Sequence, residues 1–142
     1  MDDAMKIFRQ GYEGYVKRAQ AIWPEFRTPT LEFTPAMNST AGRASAKDWK
    51  IVLSRAYCLA NPKGMLERTI PHEIAHLLAY AIHGRKGWGH SREWVDTFRL
   101  LAPEADHSRC HSYGGLRVAQ DKIDDAAKRL LKELEDGASP AP

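Results

Sequence analysis

Residues 70–82 read Ile-Pro-His-Glu-Ile-Ala-His-Leu-Leu-Ala-Tyr-Ala-Ile. Ile70, Ile74, Ala75, Leu77, Leu78, Ala79 and Ile82 suit a helix sunk in a core, and Gly84 offers a stop just beyond it. His72 and His76 stand four residues apart, so both project from one helix face, with Cβ atoms roughly 5–6 Å apart. Imidazoles so placed can share one zinc ion at about 2.0–2.1 Å each. Glu73 projects from an adjoining face. There it can take a proton from the water that a metal activates, without being a ligand itself. A catalytic zinc keeps three protein ligands and one open position. His90, in a second helix-like segment, Gly89-His90-Ser91-Arg92-Glu93-Trp94, completes the set. The pattern predicts one zinc ion per chain, held by His72, His76 and His90, with Glu73 as the catalytic base. It points to a zinc-dependent hydrolase, a peptidase first of all.

The rest of the chain reads as a mixture of helices and a small sheet. Residues 4–22 form an amphipathic helix, with Met5, Phe8, Tyr12, Tyr15, Val16 and Ala19 along one side, weakened by Gly11 and Gly14 and stopped near Pro24. Residues 30–34 alternate as a half-buried strand does, and residues 49–53 make a second strand. The small, polar stretch 39–46 pairs with 49–54 as a hairpin, giving three short antiparallel strands. Pro71 costs little in a first helical turn but about 3 kcal/mol or more deeper in a helix. Regular helix therefore begins near Thr69, or an earlier turn over residues 65–68 meets it with a kink. After the glycine-rich connection 83–89, residues 90–101 read as the next helix, with Trp94, Val95, Phe98 and Leu101 on one face and Pro103 closing it. Residues 107–115 are a loop, residues 118–134 a helix, and 137–142 a disordered tail. The expected class is α+β, in one domain over residues 1–136.

Size and composition narrow the function classes. At 142 residues the chain is long enough to bury a core without staples. No stretch approaches the roughly 20 apolar residues of a membrane span, and the amino terminus lacks a secretory apolar segment. The expectation is a cytoplasmic protein with no membrane partner, bacterial or, for a viral chain, in the host cytoplasm. Cys58 and Cys110 form no Cys-x-x-Cys pair, so a zinc ribbon is excluded, and free thiols are expected in a reducing compartment. The net charge of +3 is modest for a nucleic-acid binder.

Three segments together resemble the SprT-like metallopeptidases, related to the Spartan protease domain. One is the small-residue strand Ser39-Thr40-Ala41-Gly42-Arg43-Ala44. Another is the strand and loop ending Leu59-Ala60-Asn61-Pro62 ahead of the His-Glu-x-x-His motif. The last is Gly89-His90-Ser91-Arg92-Glu93-Trp94, similar to the family's Gly-His-x-x-x-Trp element. The resemblance implies a zincin-like fold, three histidine ligands and a catalytic glutamate. Many members carry a zinc ribbon after the protease core. This chain has none of its cysteines and offers a helix there instead, a departure that weakens the carry-over of the family's DNA-linked targeting.

Other residues near the motif have two readings each. Glu93 is either a hydrogen-bond partner of a ligand imidazole or half of a surface ion pair with Arg92 or Lys86. His111 and Tyr113 are candidates to stabilise an oxyanion, against an ordinary loop contact. Trp88 and Trp94 read as packing before substrate contact. Arg85, Lys86 and Arg92 are the candidates for DNA contact, against a solvated loop. A peptide substrate would add as a strand to a sheet edge, for which residues 39–45 are the best candidate. Two competing functions stand beside the peptidase. One is zinc hydrolysis of a non-peptide amide. The other is a nucleic-acid-associated binding module with a structural or vestigial zinc site.

Overall fold

The computed structural model describes residues 3–37 and 40–108. Cys110, His111, Tyr113, the helix expected over 118–134 and the tail at 137–142 lie outside the described residues. A 3-10 turn, Asp3–Met5, leads into helix α1, Lys6–Ile22, which buries Phe8, Tyr12, Val16 and Ala19. That is the face the apolar spacing predicts. Gly11 does more than weaken this helix. A Cβ there would stand 2.8 Å from Leu66 Cδ2, so the glycine lets Leu66 seat against α1.

The strands are β1 (Thr30–Thr34), β2 (Gly42–Ser45) and β3 (Lys50–Ser54), in the order β1-β3-β2. Strands β2 and β3 form the expected antiparallel hairpin, with Gly42 opposite Leu53 and Ser45 opposite Lys50. The all-antiparallel sheet is corrected: β1 runs parallel to β3, Thr30 opposite Lys50 and Thr34 opposite Ser54, so the sheet is mixed. Burial explains the order. Ile51, Val52, Leu53 and Ser54 are all buried, while β1 and β2 have no buried residue. The strand apolar on both faces takes the centre, and the two half-exposed strands flank it. Trp49, expected to open β3, instead ends the turn before it at φ 51°. That conformation is uncommon for a bulky residue. Its indole N–H donates to the Arg27 carbonyl at 2.8 Å and its ring packs on Phe26, which holds it there.

Residues 55–60, read with the preceding strand and loop, are a helix, α2 (Arg55–Ala60), capped by the Ser54 hydroxyl accepting from the Tyr57 N–H. One turn, α3 (Pro62–Gly64), a π-helical turn (Met65–Thr69) and α4 (Ile70–His83) follow without a break. The Ile70 N–H reaches back to the Met65 carbonyl, five residues earlier. The wider turn falls where Pro71 has no N–H to give, so the expected kink is a π turn. Gly84, at φ +65°, ends α4. Helix α5 spans Arg92–Leu101, with Ser91 as its cap. His90 thus precedes α5 in a loop and lies outside the helix expected over residues 90–101. Every residue of α4 from Ile70 to Ala79 is buried, against α1, α5 and β2.

Candidate metal centre

His72 and His76 lie buried on α4, and His90 reaches the same point from the loop before α5. His72 Nε2 is 3.2 Å from His76 Nε2 and 3.2 Å from His90 Nε2. The ligand atoms of all three lie within 4.8 Å of one another. Nitrogens bound tetrahedrally at about 2.0–2.1 Å from one ion stand about 3.3–3.4 Å apart. Hydrogen bonding does not account for the same spacing. An imidazole nitrogen carries one hydrogen or one lone pair, so His72 Nε2 cannot make a full hydrogen bond to both neighbours. The three histidines are positioned to bind one metal ion.

Trp94 is the floor of this cluster. It is fully buried, with ring centroids 4.6 Å from His72, 5.0 Å from His76 and 4.7 Å from His90, and it stacks on His76 at 17°. Its indole N–H donates to the His72 carbonyl at 3.3 Å. The sequence suggested packing for Trp94 but gave no sign that the packing lies against all three imidazoles. The loop that delivers His90 is flush with α4. A Cβ on Gly87 would come 2.2 Å from the Ala79 carbonyl oxygen, a distance no alanine could occupy without the backbone moving. Gly89, at φ +75°, then turns the chain into His90.

Glu73 is buried with its Oε2 3.9 Å from His72 Nε2. Burial pushes its carboxyl from 4.5 up to about 8. Strand β2 crosses over it: a Cβ on Gly42 would lie 3.1 Å from Thr69 Cγ2 and 3.4 Å from Glu73 Cγ. The sequence marked Gly42 as part of a small-residue strand and Thr69 as a helix start, but not their meeting; their part is to be small where β2 meets α4.

The remaining residues fall outside the cluster. Among the described residues, the Glu93 carboxylate makes no hydrogen bond to an imidazole and no ion pair with Arg92 or Lys86. Arg92 instead approaches Asp96 at 4.0 Å. Arg85, Lys86 and Arg92 are exposed around the loop. His83 is exposed at the end of α4, and His107 Nε2 meets the Ala102 carbonyl at 2.6 Å. Cys58 is a buried free thiol, pushed up to about 12 by burial.

The family model described as SprT-like matches residues 6–111, which take in every element from α1 to α5 and the whole histidine cluster. The chain belongs to the SprT-like family. Curated relatives named Protein SprT agree with that membership. The one from Shewanella oneidensis is 35% identical over 102 residues, 70% of this chain and 60% of the relative. The one from Vibrio parahaemolyticus is 36% identical over 75 residues, 53% of this chain and 44% of the relative. The one from Photorhabdus laumondii is 33% identical over 70 residues, 49% of this chain and 35% of the relative. This SprT-like chain therefore spans about a third to three-fifths of the length of these relatives. No solved structure gives a significant match. Among the described residues, no helix is long and apolar enough to cross a membrane.

Proposed function

We propose that this SprT-like chain is a zinc-dependent metallopeptidase of zincin-like fold that hydrolyses peptide bonds in extended or unfolded protein. The observation that carries the reading is the convergence of three Nε2 atoms beside one buried carboxylate. Zinc suits three neutral imidazoles, and the same ion when bound would acidify a water and polarise a carbonyl. His72, His76 and His90 would hold it, and Trp94 would keep their rings in place. Glu73 is the proton carrier. It accepts the proton of the attacking water and returns it to the leaving amine. A purely structural site has no use for such a group, which weighs against the binding-module alternative. Strand β2 is an edge of the sheet beside Glu73. Its outer backbone groups suit an extended peptide added as a further strand.

The test is cleavage of a denatured protein by the purified chain, with a chelator and then with zinc restored. The reading predicts loss of cleavage on chelation and recovery with zinc. Cleavage indifferent to chelation contradicts it. DNA-associated proteins are a substrate class that the exposed Arg85, Lys86 and Arg92 would serve, by holding phosphate close to the metal.

A further inference from the structure

A cavity of about 380 Å³ opens beside the metal centre, lined by Ala46, Tyr80, Arg85 and Trp88. Its position follows from the elements around it. Tyr80 lies one helical turn beyond His76 on α4, and Ala46 is the residue after the end of β2. The Trp88 ring stands edge-on to Tyr80 at 5.8 Å and lies 5.7 Å from His76. The cavity therefore shares a wall with the metal centre. Trp88 keeps 39% of its surface in solvent, one of only two large hydrophobic residues so exposed among those described. Strand β2 leads from Gly42, over Glu73, to Ala46 at the cavity, a run of roughly 13 Å at about 3.3 Å per residue. A peptide paired on that edge would pass the base, the metal and the cavity in turn.

The lining combines two aromatic rings with a single charge. Arg85 has no acidic partner among the described residues, whereas Arg92 has Asp96. An apolar side chain would cover the rings but gain nothing from the guanidinium, and a lysine would meet like charge. We propose that this cavity is a side-chain subsite that selects a glutamate next to the scissile bond. The stem of the glutamate lies on Trp88 and Tyr80, and its carboxylate pairs with Arg85. A carboxylate matches the guanidinium fork in two parallel hydrogen bonds. The inference rests on the peptidase reading.

The experiment digests a mixture of denatured proteins with the zinc-loaded chain and with its Arg85→Glu variant, and maps the cut positions by mass spectrometry. Arg85 is exposed, so the exchange is expected to leave the fold intact. The parent should cut with glutamate enriched within two residues of the scissile bond, and the variant should lose that enrichment in favour of lysine and arginine. A peptide pair differing only as Glu or Gln at the selected position should show about a two- to fivefold preference in kcat/KM for Glu, lost in Arg85→Ala. The same cut positions in parent and variant overturn the subsite while leaving the peptidase reading intact, provided cutting still needs zinc and Glu73. An Arg85 change that lowers only DNA affinity also overturns it, and makes Arg85 a phosphate contact. No cutting of any protein by the zinc-loaded chain removes the peptidase reading and the subsite with it.

Discussion

His90 is the ligand whose choice rests on least sequence information, because nothing in its spacing from His76 demands it. Its place is now given by geometry, 3.2 Å from His72. His90→Ala should weaken zinc retention, measured by metal analysis after dialysis, by at least tenfold. His83→Ala and His107→Ala should leave it unchanged. Equal losses at all three would show that the third ligand lies elsewhere. The motif residues were legible because their chemistry is carried by type and spacing. Trp94 was only half legible, since an aromatic on an apolar helix face reads as core whether it touches a leucine or three imidazoles. Glu73 adds a pH dependence. In the metal-free protein its carboxyl titrates near 8, against 4.5 when unperturbed. Between these values the native state keeps a proton that the unfolded chain has released, so the contribution of Glu73 to stability falls as pH rises through 4.5 to 8 and is level outside that window. Unfolding of the chelated protein should show a loss of a few kcal/mol across it, and Glu73→Gln should remove most of the slope. A metal-free parent as pH-insensitive as Glu73→Gln would contradict the buried, protonated carboxyl.

Glycines separate two kinds of element in this fold. Gly87 lies against the Ala79 carbonyl, so Gly87→Ala must displace the loop that carries His90. A cost of about 1–3 kcal/mol is expected, with weaker zinc retention, read by thermal unfolding and metal analysis. Gly14 has open space where its Cβ would stand, within α1, so Gly14→Ala should stabilise by about 0.5–1 kcal/mol. Opposite signs are the expected outcome; stabilisation by both would mean that the loop does not rest on α4. The helices around the site and the β2–β3 hairpin could be read from apolar period and composition. The parallel pairing of β1 with β3 could not, because it depends on which strand is buried on both faces. Helix α2 was hidden behind an apolar strand that runs straight into it, with Ser54 serving as both strand end and cap. The π turn before Pro71 was visible only as an alternative, a kink over residues 65–68.

At the scale of the whole molecule, net charge sets how strongly nucleic acid takes part. With +3 net charge and three exposed cations around one loop, DNA binding should be weak. Two or three phosphate contacts give a log–log salt slope of roughly −2 to −3. Exchanging Arg85, Lys86 and Arg92 for alanine together should flatten it. Absence of binding at low salt would make this a DNA-independent chain. The most direct test of the central claim is a paired measurement on the parent and Glu73→Gln: zinc per chain and turnover on a denatured protein. The exchange keeps the shape of the side chain and removes the proton acceptor. The expected result is one zinc in both and turnover lower by about 10²–10⁴-fold in the variant. Zinc present in both with turnover within a few-fold, or no zinc in an active parent, would contradict a metal-dependent peptidase with Glu73 as its base.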